Sequence, residues 1–326
     1  MFLKPVIIIG APRSGTSLMQ KIVREHNGFR SVAKESDFIW RKYCHPRLHS
    51  WRYEGCPPER IDDRTIDYVH ARFRRYTLSA KAWRRAKRLD VQRYQRSPLL
   101  APFLRAGYFV FAAASQPVSE LLPLASGSND DWRLVDKSVN SALFLNLLDR
   151  VFPDAKYVHI VREGNATIRS MVESWLNPDR FFTYIVPGGL QIPDYPHKGW
   201  NFALPAGWED YRSKPLADVV TFQWTQLQQA ILSHFDEPDG GARLLRVKLE
   251  DLVNDRCSVL RRLADFIEVP WSDYFERLSR GMPSVNARPL ERTNDDSRGL
   301  DERMVRLNDC ESERLRATNS ALGYPV

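Results

Sequence analysis

Cysteine is scarce in this 326-residue chain: Cys44, Cys56, Cys257 and Cys310 are its only four. None stands in a C-x-x-C pair or beside a histidine pattern, so neither a zinc site nor a disulfide framework is expected, and a reducing cytosol is the compartment that fits. Long apolar runs are missing too. The N-terminal apolar stretch is too short to cross a bilayer and runs straight into a glycine loop, so no signal peptide is expected, and no other segment could span a membrane. Internal repeats are absent. Acid is nearly lacking between Arg72 and Arg96, where ten Lys and Arg face the single Asp90. That segment reads as a solvated helix face within a basic helical insertion at about 60–125. An acidic acceptor, a peripheral membrane contact or a partner protein are the alternatives, and nucleic acid is not expected because no recognised binding motif accompanies the charge.

What is present describes an ordinary globular protein, 43% hydrophobic and 27% charged, with a formal charge of +8. The charge favours an anionic ligand, surface or polymer. Val6 to Ile9 form a β-branched run of the kind found in buried parallel strands, and Leu18 with Ile22 and Met19 with Val23 start a helix near Gly15. Further strands are expected at Trp132–Val135, Tyr157–Val161 and Leu244–Leu249. Helices follow at Leu143–Val151, Ala166–Trp175, Val220–Ile231 and Val259–Ile267. This alternation predicts one α/β domain over residues 1–326, a central parallel sheet flanked by helices. Residues 176–215 are rich in Pro, Gly and aromatics, among them Phe181, Phe182, Tyr184, Tyr195, Trp200, Phe202, Trp208 and Tyr211. They are expected to form an irregular lid or acceptor-binding cap.

Two further absences bear on chemistry. Residues 10–17, GAPRSGTS, have the register of a phosphate loop, G-x-x-x-x-G-K-[ST], at Gly10, Gly15 and Ser17. Thr16 stands where the lysine belongs, and the nearest cation is Arg13. A kinase or NTPase also needs an acid at the end of a neighbouring strand to hold Mg²⁺. Here the strand YVHIV ends in Arg162, which repels a divalent cation and attracts a second phosphate. Both departures point to a nucleotide with an extra phosphate, handled without a metal-bound γ-phosphate.

With these residues the sequence resembles the sulfotransferases that use 3′-phosphoadenosine 5′-phosphosulfate (PAPS), in particular the branch containing bacterial and tyrosylprotein enzymes. GAPRSGTSLM resembles the 5′-phosphosulfate loop, and VREGNATIRSM resembles the 3′-phosphate motif, with Arg162 and Ser170 at the family spacing. VDKSVNSALFLNLLDRVFPDAKYVHIVRE resembles the stretch in which a lysine, here Lys137, precedes an FP-x-A strand. RVKLEDLVNDRCSVLRRLADFIEVPW resembles the Y-E-D-L segment, with Leu249 in the tyrosine position, and the final LGY resembles the usual end. The resemblance implies that Arg13, Ser14, Gly15, Thr16 and Ser17 cradle the 5′-phosphosulfate. Arg162 and Ser170 would hold the 3′-phosphate, and Arg13 and Lys137 would offset charge on the transferring sulfonate.

The acceptor hydroxyl needs a general base. Cytosolic members carry a histidine two residues after the lysine, but Val139 occupies that position. The tyrosylprotein branch uses a glutamate after the first helix, which points to Glu35, with Asp136 in reserve. The implied partners are PAPS, its desulfated product PAP, and a hydroxyl-bearing small molecule, glycan, lipid or peptide, with no metal required. A P-loop kinase with a displaced lysine and a non-catalytic PAP or polyanion binder remain as alternatives.

Overall fold

The computed structural model describes residues 2–32, 35–79, 132–177, 182–236, 238–281 and 307–325. Five strands run parallel: β1 (Val6–Ile9), β2 (Phe29–Val32), β4 (Arg133–Lys137), β5 (Lys156–Val161) and β8 (Leu244–Lys248). The short β3 (Thr77–Ser79) adds an antiparallel edge. The order across the sheet is β3-β2-β4-β1-β5-β8. Most of the irregular 182–215 stretch has no regular structure, and β6 (Phe182–Tyr184) pairs with β7 (Trp200–Asn201) as a separate antiparallel ribbon.

Continuous apolar runs such as Val6-Ile7-Ile8-Ile9 form because both faces of a parallel sheet are covered. Ile7 and Ile9 of β1, Leu134 of β4 and Tyr157 of β5 face one core. Packed there are α2 (Asp37–Cys44), α3 (Asp63–Tyr76), α4 (Leu145–Val151), α5 (Gly164–Trp175), α6 (Leu216–His234) and α10 (Asp309–Ala321). Val6, Ile8, Val135, Val158 and Ile160 face the other core, against α1 (Thr16–Glu25), α8 (Arg256–Phe266) and α9 (Asp273–Arg280), with Leu252 of the short α7 (Leu249–Asn254). The expected strand and helix alternation is therefore present. β4 begins one residue later and ends two residues later than expected, so Lys137 is its last residue.

The expected basic insertion is described only up to Ser79, where α3 supplies Arg72, Arg74 and Arg75; its continuation from Lys81 to Arg96 lies outside the described residues. Phe181 also lies outside them. Among the cap aromatics, Tyr184, Tyr195, Trp200, Phe202 and Trp208 are buried in the first core. These rings therefore contribute to the packing of the first core. Gln223 of α6 fastens this segment by donating to the carbonyls of Asn201 at 2.8 Å and Ala203 at 2.6 Å.

Candidate active site

The carboxyl ends of four adjacent strands carry the predicted residues, in the crevice where open α/β sheets bind their ligands. Following the sheet from β2 through β4 and β1 to β5, the order in space is Glu35, Lys137, the glycine loop and Arg162. Lys137 pairs in register with Ile8, two residues before the loop begins.

The loop's shape follows from its glycines. Gly10 has φ +149°, and a Cβ there would lie 2.4 Å from the carbonyl oxygen of Ile160, so the loop presses directly on β5. Gly15, at φ +101°, precedes α1, and a Cβ on it would meet Leu249 at 3.0 Å. Leu249, in the position of the family tyrosine, thus packs under the loop. Ser14 is buried; its hydroxyl donates to the carbonyls of Ala11 at 2.7 Å and Ile160 at 3.2 Å, which holds the turn rather than facing a ligand. Thr16, also buried, turns its methyl toward Gly10. Arg13 and Ser17 are exposed, and Arg13 adopts the left-handed conformation at φ +69°, which is rare outside glycine and marks local strain.

Among the described residues α1 has no side-chain cap, and its first turn has no acid. Unpaired amides and the positive end of the helix dipole therefore face the loop's mouth, a site that suits the oxygens of a phosphosulfate. The two residues expected at a 3′-phosphate lie on the neighbouring strand–helix unit. Arg162 follows directly on β5, and Ser170 sits on α5. The Nε of Arg13 donates to the hydroxyl of Ser170 at 3.0 Å, so two motifs 157 residues apart are in contact.

Beside the loop, residues 35–37 and 136–139 interlock one by one. Glu35 forms an ion pair with the buried Lys137 and accepts the Val139 amide at 3.2 Å. Ser36 donates to Asp136 at 2.8 Å and accepts from the Trp40 indole at 2.8 Å. Ser138 donates to Asp37. Glu35 keeps 36% of its side chain exposed, whereas Asp136 is fully buried. Burial pushes the Asp136 carboxyl up to about 7, against the hydrogen bond from Ser36. Desolvation pushes Asp37 up to about 6, with the charge of Glu35 adding and the Ser138 bond opposing. Glu54 lies behind this row and was not picked out by the sequence. It accepts from Asn140 at 2.7 Å and from the Leu204 amide at 3.2 Å, and burial, with the nearby Asp37 charge, pushes it up to about 8. No spacing pattern in the chain would have found it, because its partners are 86 and 150 residues away.

Comparison with known proteins identifies the family. The chain is similar over 273 residues to protein-tyrosine sulfotransferase A of Caenorhabditis elegans, at 23% identity, covering 82% of this chain and 50% of that protein. It thus spans about half the length of the curated relative it matches. Among solved structures it is similar to the sulfotransferase domain from the curacin biosynthetic pathway, with 17% identity, a TM-score of 0.47 and 99% of each chain covered. It is also similar to a mouse sulfotransferase complexed with PAP, with 10% identity, a TM-score of 0.38, and 95% of this chain and 88% of that one covered. The family model of the sulfotransferases matches residues 5–183, more than half of the chain and the whole stretch from β1 to the end of α5 on which the loop, Glu35, Lys137, Arg162 and Ser170 all stand. The chain belongs to the sulfotransferase family.

Proposed function

We propose that this protein transfers the sulfonate of PAPS to a hydroxyl acceptor by in-line displacement. The observation that carries this reading is the contact between Arg13 and Ser170, because it joins a glycine loop suited to one anion with a strand end suited to another. A nucleotide bearing a 5′-phosphosulfate and a 3′-phosphate meets both sites at once. Arg13, Ser17 and the amides of Gly15 and Thr16 hold the 5′ end, while Ser14 and Thr16 keep the loop's shape through their buried side chains. Arg162, as a forked donor, and Ser170 hold the 3′-phosphate.

Glu35 takes the acceptor's proton as the acceptor oxygen bonds to sulfur and the sulfur's bond to the phosphate oxygen of PAP breaks. Lys137 and Arg13 offset the charge gathering on the sulfonate and the departing oxygen. Glu35 is favoured over Asp136 as base because it is partly exposed beside the Lys137 ammonium, whereas Asp136 is enclosed and bonded to Ser36. Val139 leaves its position without an imidazole, but its amide holds Glu35. The acceptor class is a hydroxyl-bearing small molecule, glycan, lipid or peptide. The test is a single-turnover assay with labelled PAPS against a panel of phenols, sugars, lipids and tyrosine peptides. Glu35→Gln is expected to slow transfer by about 10²–10⁴-fold with PAP affinity retained, and a normal rate for Glu35→Gln together with a collapse for Asp136→Asn would move the base to Asp136.

A further inference from the structure

Cys44 and Cys56, far from any recognisable cysteine pattern in the sequence, meet in the fold. Cys44 is the last residue of α2, and its carbonyl accepts the Gly55 amide at 3.0 Å, so one backbone hydrogen bond and one peptide unit separate the two cysteines. Both side chains lie in the first core, Cys44 1% and Cys56 7% exposed. The two thiols are close enough to influence each other's ionisation, and the Cys56 thiol donates toward the Pro57 carbonyl at 3.9 Å. Cys257 and Cys310, by contrast, are exposed.

We propose that Cys44 and Cys56 are a modification site, oxidised in the native fold to an intramolecular disulfide that staples the end of α2 to the 54–57 segment. A disulfide requires Cα atoms closer than about 7 Å with facing side chains; the backbone bond from Gly55 to Cys44 and the shared burial bring the two residues together for such a link. Cys56 is the thiol nearer the surface. The hydrogen bond from Cys44 lowers its pKa against the effect of burial, and the Arg60 charge assists; burial and the contact with Cys56 hold the Cys44 thiol well above the usual range. Cys56 is therefore the attacking thiolate.

With a small-molecule disulfide as oxidant, the Cys56 thiolate attacks one of its sulfurs and expels one thiolate, leaving a mixed disulfide on Cys56. Cys44 then gives its proton to water and attacks the Cys56 sulfur, expelling the second thiolate. The protein loses two electrons and two protons, and the oxidant becomes two thiols. Because the C-terminal end of α2 is already tied to Gly55, the staple constrains the unfolded chain without shifting Glu35 at the other end of the helix.

The test is to incubate the full-length folded protein with glutathione disulfide, alkylate it in acid, and digest it without reduction for mass spectrometry. A peptide joining Cys44 to Cys56, lighter by two hydrogens and separated by reductant, is expected, together with a rise in Tm of roughly 2–5 °C. In Cys56→Ser the crosslink is absent and Cys44 is recovered as a free thiol. Recovery of Cys44 and Cys56 as alkylated thiols from the wild-type protein, while Cys257 and Cys310 carry glutathione, would overturn the proposal. So would a crosslink that forms only in denaturant, or a fall in Tm on oxidation. The wild-type arm decides these outcomes whether or not Cys56→Ser folds.

Discussion

Two strand–turn–helix units, β1 into α1 and β5 into α5, lie side by side and treat an anion in different ways. At the first, Gly15 starts the helix with no side-chain cap among the described residues, so the amides themselves face the loop. At the second, Glu163 caps its own helix, accepting the amides of Asn165 at 2.8 Å and Ala166 at 2.7 Å. Asn319 of α10 accepts the Gly164 amide at 2.9 Å, closing that terminus further. The α5 terminus is therefore a structural joint, and in the proposed reading its unit meets an anion with side chains: Arg162 before the turn and Ser170 in the second turn of the helix. In that reading the same local fold gives one backbone site and one side-chain site, and the Arg13–Ser170 bond joins the two units.

The largest effect is expected where the backbone site has no room. Gly10→Ala places a Cβ against the Ile160 carbonyl and demands a left-handed backbone, so the loop must move. PAP affinity, measured by calorimetry, should fall by more than about 100-fold, or about 2.7 kcal/mol, together with a lower Tm; near-normal affinity would show that the loop does not need this close approach.

β4 lies between the β2 end and the loop and sharpens the comparison, because its buried acid makes stability depend on pH. The folded protein holds the Asp136 proton up to about pH 7, whereas an unfolded aspartate loses it near 4. Stability from this group is thus full below about pH 4 and is lost as pH rises through about 7, at about 1.4 kcal/mol per unit of raised pKa. In denaturant titrations Asp136→Asn should flatten that fall between pH 4 and 7. An equally steep fall in the variant would assign the dependence to Asp37, raised to about 6 beside it, or to other groups.

The side-chain site predicts an intermediate effect. Arg162→Ala removes a charge-assisted contact of roughly 1.5–3 kcal/mol, about 10–150-fold in affinity. PAP should lose this much, and adenosine 5′-phosphate, which lacks the 3′-phosphate, should lose almost none. Equal losses for both would detach Arg162 from the 3′ end. The smallest effect belongs to the capped terminus. Glu163→Ala should lower stability by about 0.5–2 kcal/mol, as cap removals do, while PAP affinity changes less than twofold. A large loss of affinity would make that terminus part of the ligand site.

Much of this was legible in the chain because the two units are local. VIII followed by GAPRSGTS, and YVHIV followed by Arg162, carry their strands, turns and helices in consecutive residues. The interlock of residues 35–37 with 136–139 was only half legible. Glu35, Lys137 and Asp136 could be singled out, but β2 is four residues long with Arg30 and Ser31 inside it, too short and too polar for a strand pattern to show. Likewise α10 has few apolar positions, and Leu315 and Leu322 pack only because α5 and α6 meet them. The burial of Tyr184, Tyr195, Trp200, Phe202 and Trp208 was not legible for a related reason, since composition does not say which way a side chain points. Glu54 and the Cys44–Cys56 contact depend wholly on tertiary proximity.

The central claim is that the loop with Arg13 and the strand end with Arg162 together bind one nucleotide carrying phosphate at both its 5′ and 3′ positions. Metal-free isothermal titration calorimetry of the full chain with PAP and ATP, repeated for ATP with Mg²⁺, tests it most directly. The account predicts PAP binding without any divalent ion and a gain in thermal stability that follows PAP concentration; tight ATP–Mg²⁺ binding with no response to PAP would contradict it.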